Sequence, residues 1–196
     1  MRETPTVYLM RHGETEWSLS GQHTGSTEIP LTAHGEQQAR ALGDHLCDIP
    51  FTAVLTSPRL RARRTCELTG IGAPAVTDND LAEWDYGNYE GLRSSDIEKT
   101  NPRWNLWTNG CPNGERPDDV AARADRVIAR LRALSGNVAV FSHGHFCCAI
   151  AVRWIALQIG SGQHFSLAPA SLSVLSAAEH HAEISVIKVW NSTFLK

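Results

Sequence analysis

Short apolar runs, each bounded by polar or turn-forming residues, recur along the whole chain. Runs of this length are typical of strands that are buried on both faces of a sheet. Two of the runs flank a polar turn near the end of the chain, at Glu179-His180-His181. The pattern predicts strands over 6–10, 51–56, 138–141, 172–177 and 184–189.

Amphipathic stretches separate the predicted strands. Thr32 can cap a helix with one apolar face, and Ser57-Pro58 opens a second helix with proline in its first turn. Asp118-Asp119 starts a third helix, and an apolar fourth helix is predicted over 145–158. The stretch 101–117 is rich in Pro, Asn and Gly, which predicts a long surface excursion.

Strands that alternate with helices predict a three-layer α/β sandwich with a mainly parallel central sheet. The chain has 196 residues, which is enough for one domain with a sizeable core. No repeat, linker or low-complexity tract interrupts the pattern. We therefore expect one domain that spans residues 1–196.

Composition narrows the class of protein. The net charge of −3 provides no basic field that would attract nucleic acid or an acidic membrane surface, and no apolar run could cross a bilayer. The start, Met1 to Pro5, lacks a signal-peptide pattern. The five cysteines contain no CxxC pair, so disulfides and zinc binding are both unexpected. A cytoplasmic protein is predicted.

Two histidines follow predicted core strands directly: His12 in Arg11-His12-Gly13, and His143 in Ser142-His143-Gly144. Ligands of open α/β sheets bind beyond the carboxyl ends of the strands. Both imidazoles are therefore expected in the same crevice, although a capping or core histidine is the alternative for each. The spacing of His143 and His145 could also indicate a metal site, but no Asp, Glu or Cys cluster completes one, so no metal and no cofactor is predicted.

A basic run, Arg59 to Arg64, follows the second predicted strand. One short cluster on an acidic chain is usually a solvated helix face and does not indicate nucleic-acid binding. At helical spacing, Arg61 shares a face with small residues, whereas Arg59 and Arg63 lie off that face. Arg61 is therefore preferred over Arg59 as an inward-facing arginine.

Ordered motifs extend over nearly the whole chain. They are Arg11-His12-Gly13-Glu14-Thr15, Ser57 with Arg61-Ala62 and Thr65, Leu81-Ala82-Glu83 with Tyr86-Gly87, Gly114-Glu115, and Ser142-His143-Gly144. In these motifs the chain resembles the histidine phosphatase superfamily, the phosphoglycerate-mutase-like group, and especially its small acid and broad-specificity phosphatases.

The resemblance implies a role for each of five residues. His12 would be the nucleophile that becomes phosphorylated, Arg11, Arg61 and His143 would hold the phosphoryl oxygens, and Glu83 would protonate the leaving oxygen. Imidazole attacks phosphorus only when it is neutral, and nearby guanidinium groups favour the neutral form. The same cations stabilise the charge on the transferring group.

Further residues match family positions that contact substrate. The alternative for these residues is ordinary hydrogen bonding or packing within a loop. For His145 the alternative is that it simply starts a helix. The candidates are Ser18, Gln22, Thr24, Gly25, Tyr86, Gly144 and His145. Trp104 and Trp107 fall in the predicted excursion, where packing of the loop is the simpler interpretation and contact with an apolar part of the substrate is a further hypothesis.

The bisphosphoglycerate-dependent mutases of this group carry a longer insertion with paired arginines, and a lysine where this chain has Ser94. The stretch 101–117 contains only Arg103 and Arg116, which are not adjacent. Holding a second phosphate and a carboxylate requires several fixed cations. Hydrolysis of small phosphate esters is therefore predicted in preference to mutase activity.

A third possibility is a protein phosphohistidine phosphatase or a signalling module that binds phosphorylated proteins. The complete set of implied catalytic residues argues against an inactive module, which could lose its nucleophile without penalty. The two late strands could offer a pairing edge, so a homodimer is a further prediction. The physiological substrate is chosen by loops that vary freely on such a scaffold.

Overall fold

The computed structural model of the chain describes residues 4–71 and 74–195. Met1 to Glu3, part of the start that lacks a signal-peptide pattern, lie outside the described residues. The described part contains a six-stranded sheet. The strands are β1 (Thr6–Arg11), β2 (Phe51–Thr56), β3 (Val76–Thr77), β4 (Asn137–Ser142), β5 (Leu172–Ala178) and β6 (His181–Ser192).

Helices connect most of the strands. They are α1 (Glu16–Ser20), α2 (Ala33–Leu46), α3 (Leu60–Thr69), α4 (Ser94–Glu98), α5 (Leu106–Asn109), α6 (Pro117–Arg132) and α7 (Gly144–Trp154). Within the described ranges, three short 3-10 helices span Asn79–Leu81, Gly87–Tyr89 and Ile159–His164. No helix of the described residues is long and apolar enough to cross a membrane.

The strands are arranged in the order β3-β2-β4-β1-β5-β6. Neighbours from β3 to β1 are parallel, and β5 and β6 are added antiparallel at the side of β1. The prediction of a mainly parallel α/β sheet is confirmed. β4 lies between β1 and β2, and its run Val138–Phe141 is buried on both faces of the sheet, which explains why it is apolar without alternation.

The sheet has a hydrophobic core on each face. On one face, Val138 and Val140 of β4 pack in a cluster with apolar residues of α6 and α7. On the other face, Ala139 and Phe141 pack in a cluster with Leu42 and other residues of α2 and α3. Successive residues of a strand point to opposite faces, so the two clusters produce the three predicted layers.

Several predicted boundaries were wrong. Pro58 lies before α3 and not in its first turn, because the helix is capped at Arg59, whose backbone N–H donates to Ser57 Oγ. The helix predicted to reach Gln158 ends at Trp154, and Ala156 then adopts a left-handed conformation with φ of +59°. The strand predicted over 184–189 is longer at both ends, so His181 begins β6 and is not part of the turn.

The stretch 101–117 is also more ordered than predicted. It contains the loop that follows α4 and the short helix α5. Within it, Trp104 and Trp107 are buried. Their indole rings pack edge-on against Tyr89 and Trp84 respectively. The two tryptophans thus anchor this stretch to the core. The predictions of a single domain over 1–196 and of a homodimer are untested by the fold and stay predictions.

Candidate active site

The sheet register brings the two signature histidines together. Arg11 at the end of β1 pairs with Ser142 at the end of β4, so His12 and His143 are the next residues on adjacent parallel strands. His12 N–H donates to the Ser142 carbonyl at 3.0 Å. The ring centroids of His12 and His143 are 5.2 Å apart. Both imidazoles therefore lie at the carboxyl edge of the sheet, where α/β proteins bind ligands.

The hydrogen bonding of His12 determines which nitrogen is free. Nδ1 lies 2.7 Å from the carbonyl oxygen of Gly13, which can only accept, so Nδ1 carries the hydrogen and Nε2 keeps its lone pair. The side chain is only 5% exposed. Burial, and then the charges of Arg61 and Arg11, lower the pKa of His12 well below 6.5. The ring is thus a neutral imidazole with an available Nε2.

His143 is held by the end of β2. Its Nε2 lies 2.7 Å from Ser57 Oγ, and this hydroxyl also accepts from the backbone N–H of Arg59. When the hydroxyl donates to Nε2, the hydrogen of the imidazole is on Nδ1, which is buried and has no partner among the described residues. Burial and the charge of Arg61 lower the pKa of His143 well below 6.5. His143 is therefore a neutral ring with an unused donor.

Two guanidinium groups lie beside the imidazoles. The Arg11 side chain donates from Nη1 to the Leu167 carbonyl, and the Arg61 side chain donates to the carbonyls of Thr24, Gly25 and Thr27 at 2.8 to 3.1 Å. The Nε of each arginine is buried without a partner in the described part of the chain. Unused donors of buried cations are uncommon in proteins, and an oxyanion would satisfy them.

The Glu83 carboxylate lies at the amino end of α7. Oε1 accepts from the backbone N–H groups of Phe146 and Trp84 at 2.8 and 2.9 Å, and Oε2 accepts from His145 at 3.0 Å. The free N–H groups at a helix N-terminus hold carboxyl oxygens in this way. The side chain faces the cavity that His12 and Arg11 also line. A carboxyl group is thus fixed at the same cavity that His12 lines.

The loop after β1 is fixed by close backbone contact. A Cβ atom at Gly13 would lie 2.5 Å from the carbonyl oxygen of Gly35 in α2, and a Cβ atom at Gly35 would lie 2.2 Å from that of Glu14. The Gly13 N–H also donates to Thr65 Oγ1 of α3 at 3.0 Å. Two glycines therefore allow α2 to pack directly under the loop that carries His12.

The cavity has a volume of about 390 Å³. Six of the residues expected to contact substrate line it: Ser18, Gln22, Thr24, Tyr86, Gly144 and His145. Gly25 does not line it; its N–H donates to the Glu90 carboxylate and its carbonyl accepts from Arg61. Arg61 and His143 lie behind the lining and are fully buried. Trp104 and Trp107 are not among the lining residues, so the hypothesis that they contact substrate is not favoured.

One wall of the cavity is aromatic, and sequence reasoning missed its central residue, His23. This ring stacks on Tyr86 with centroids 4.7 Å apart and lies 6.0 Å from the ring of His145, whose Nδ1 is 2.6 Å from the Tyr86 hydroxyl. Burial lowers the pKa of His23 and of His145 to about 4. Gln22 and Thr24 were singled out on either side of His23, but no local pattern shows that its ring turns inward.

The lining also includes Trp17, Ser94, Phe165 and Leu167. Among the described residues that line the cavity, Arg11 is the one Lys or Arg side chain. No group of three or more His, Cys, Asp or Glu side chains in the described ranges is placed to hold a metal ion. The cavity thus has one strongly cationic end at Arg11 and neutral aromatic walls.

A mainly parallel sheet whose strand ends place a neutral imidazole beside buried guanidinium groups can bind a phosphoryl group and present a nucleophile to it. Comparison with known proteins identifies the type of protein. The model of the histidine phosphatase superfamily (branch 1) matches residues 7–192. The chain belongs to this family, as its motifs predicted.

Individual relatives agree with this assignment. An acid phosphatase of Mycobacterium tuberculosis is 40% identical over 185 residues, covering 92% of this chain and 91% of the relative. Sedoheptulose 1,7-bisphosphatase of Saccharomyces cerevisiae is 37% identical over 189 residues, covering 80% of this chain and 69% of the relative. The solved structure of open reading frame Rv3214 of Mycobacterium tuberculosis is similar with a TM-score of 0.89 and 37% identity, covering 96% and 97% of the two chains.

Proposed function

We propose that this protein hydrolyses small phosphate monoesters through a phosphohistidine at His12. The observation that carries the proposal is the free Nε2 of a neutral His12, held beside two arginines whose buried Nε atoms lack partners among the described residues. A neutral imidazole is the nucleophilic form, and fixed cations favour both that form and the charge of the phosphoryl group.

In the first step His12 Nε2 attacks phosphorus and the bond to the leaving oxygen breaks. Arg11 donates to the phosphoryl oxygens at the cavity, and the unused Nε of Arg61 and Nδ1 of His143, directly behind its lining, complete the set of donors that stabilises their charge as the bond breaks. The Glu83 carboxyl group gives its proton to the leaving oxygen, so the product leaves as an alcohol. The step ends with a phosphohistidine and a Glu83 carboxylate.

In the second step water attacks the phosphohistidine. The Glu83 carboxylate takes a proton from this water, and the bond between phosphorus and Nε2 breaks. Inorganic phosphate leaves, and both His12 and Glu83 return to their starting protonation states. Protein cations stabilise the charge at every stage, so we propose that the reaction needs no metal ion and no organic cofactor.

The cavity supports a phosphatase over a mutase. A mutase must hold a second phosphate and a carboxylate with several fixed cations. Arg11 is the one lysine or arginine among the described lining residues, Ser94 occupies the position that is lysine in the mutases, and the aromatic wall is neutral. We therefore propose substrates whose alcohol part carries little charge, among small phosphorylated metabolites. The five free thiols agree with a reducing compartment, and we propose the cytoplasm.

Hydrolysis of p-nitrophenyl phosphate in the presence of EDTA tests the function, with His12→Ala as the control. We expect activity in the wild-type protein and about a thousandfold or greater loss in the variant. Equal activity in the two proteins would remove His12 from the mechanism. Faster isomerisation of 3-phosphoglycerate with a bisphosphoglycerate primer would favour the mutase, and preferential turnover of a phosphohistidine protein would favour the signalling alternative.

A further inference from the structure

We propose that Arg123 and Glu115 are positioning residues that hold the Glu83 carboxylate in place for proton transfer. The inference rests on the proposed function, because it concerns how the proton donor is aligned. Neither residue lines the cavity that His12 lines. Both line a second cavity, of about 260 Å³, that Glu83 also lines.

Glu83 is carried by a segment that has no helix or strand of its own to fix it. It lies between the 3-10 helices Asn79–Leu81 and Gly87–Tyr89. Arg123 of α6 crosses this segment and is only 8% exposed. Its Nη1 donates to the carbonyls of Asp80 and Ala82 at 2.9 and 2.7 Å, and its Nη2 approaches the carbonyl of Glu83 itself at 3.4 Å.

Glu115 completes the attachment. Its carboxylate accepts from Nε and Nη2 of Arg123 at 2.8 and 2.7 Å in a bidentate pair, and Oε2 also accepts from the backbone N–H of Asp85 at 2.9 Å. The backbone carbonyl of Glu115 accepts from the indole of Trp84 at 3.0 Å. The residues before and after Glu83 are thus tied to the same ion pair.

Arg123 also contacts the other element that holds the carboxylate. Its guanidinium carbon lies 3.9 Å from the ring centroid of Phe146, and the Phe146 N–H donates to Glu83 Oε1. One guanidinium therefore contacts both the segment that carries Glu83 and the helix start that orients its carboxylate. A lysine could not reproduce this geometry, since it lacks the planar fork of five donors.

The leaving group of the substrate separates a positioning role from a purely structural one. The p-nitrophenolate ion is stable and leaves with little need of a proton, whereas an alkoxide such as that from glycerol phosphate must be protonated as it leaves. The measured quantity is the ratio of kcat/KM for p-nitrophenyl phosphate to kcat/KM for glycerol phosphate. Both rates come from one preparation, so the ratio does not depend on the fraction of folded protein.

We expect Glu83→Gln to raise this ratio by about a hundredfold or more, because it removes the proton donor. Arg123→Met and Glu115→Gln should each raise it by about tenfold to a hundredfold, since they leave the donor present but misplaced. Arg126→Met is the matched control. Arg126 is on the same helix and pairs with Asp80 at 3.0 Å, but it is exposed and makes none of these contacts.

A double variant tests whether Arg123 acts through Glu83. In the Glu83→Gln background, adding Arg123→Met should leave the ratio unchanged, because no proton donor remains to be displaced. A ratio unaltered by both Arg123→Met and Glu115→Gln, while Glu83→Gln raises it, would overturn the inference and leave the proposed function intact. An unaltered ratio in Glu83→Gln would instead overturn the role proposed for Glu83, and the inference with it.

Discussion

The buried histidine on the aromatic wall predicts that the protein loses stability in mild acid. His23 is 8% exposed, stacks on Tyr86 and lies close to His145. Burial, and then the proximity of His145, lower its pKa from 6.5 to about 4. Below pH 6.5 the unfolded chain therefore binds a proton at this residue that the folded protein does not bind until about pH 4.

The sign and size of the effect follow from this difference. The free energy of unfolding falls as pH is lowered from 6.5 towards 4, at about 1.4 kcal/mol per pH unit for this one group. Between about pH 7.5 and pH 5, His23 should therefore lower the free energy of unfolding by about 2 kcal/mol. That is a sizeable part of the roughly 5 to 15 kcal/mol that stabilises a typical domain.

Urea unfolding of the wild-type protein and of His23→Gln, at about pH 7.5 and about pH 5, measures this contribution. Loss of the stacked ring should destabilise the variant by a similar amount at both pH values, so only the difference between the two pH values reports the titration. We expect the wild-type protein to lose about 2 kcal/mol more than the variant over this range.

The matched control is His180→Gln, at an exposed turn, which leaves the aromatic wall of the cavity intact and should keep the wild-type pH dependence of stability. Equal pH dependence in the wild-type protein and His23→Gln would refute the reasoning. It would mean that His23 takes up its proton in the folded state, and that the wall of the cavity is not neutral.

Three further predictions concern the rest of the site and its support. Arg61→Met should lower the free energy of unfolding in urea by about 1 to 3 kcal/mol, because three carbonyls of the segment 24–27, of which that of Gly25 is buried, lose their donors. Unchanged stability would contradict these hydrogen bonds. Gly43→Ala should lower the free energy of unfolding by about 1 to 3 kcal/mol, because the added Cβ would lie 2.4 Å from a backbone carbonyl oxygen of α3. Gly160→Ala is the control in thermal melts, because the nearest atom to its added Cβ lies at 3.9 Å. Burial, Arg61 and Arg11 lower the pKa of His12, so kcat/KM should begin to fall only well below pH 6.5. If log kcat/KM already falls with a slope of one per pH unit at pH 6.5, the nucleophile is protonated there and the reasoning is wrong.

The fold and the pairing of the two histidines could be predicted because both depend on strong local patterns. Apolar runs mark buried strands, and a polar residue directly after such a strand must lie at the edge of the sheet. The sequence pattern does not state that β1 and β4 are neighbours, but a parallel α/β sheet brings all such strand ends to one side. His12 and His143 could therefore be assigned to one crevice before their strands were known to pair.

The features that were missed depend on residues far apart in the chain. β3 has only two residues, both exposed, and is a strand only because Thr56 and Leu55 pair with it. His23 turns inward because Tyr86, more than sixty positions away, offers a ring to stack on. A local pattern cannot report such partners, since the contact exists only after the chain has folded.

The depth of the cation site was also not predictable. Helical spacing correctly predicted that Arg61 faces inward. It did not predict that three carbonyls of the segment 24–27 hold its guanidinium group behind the cavity lining. Likewise, the motif containing Glu83 was recognised without the α7 N–H groups that orient the carboxylate. Such arrangements arise from tertiary contacts between segments that are distant in sequence.

Trapping the covalent intermediate tests the central claim most directly. Rapid acid-free quenching of the enzyme mixed with excess radiolabelled phosphate ester should give one protein-bound phosphate that is stable in alkali and labile in acid, as a phosphohistidine is. Peptide mapping should place this phosphate on His12, and His12→Asn should abolish it. Steady turnover with no labelled protein, or a label that persists in His12→Asn, would contradict the account.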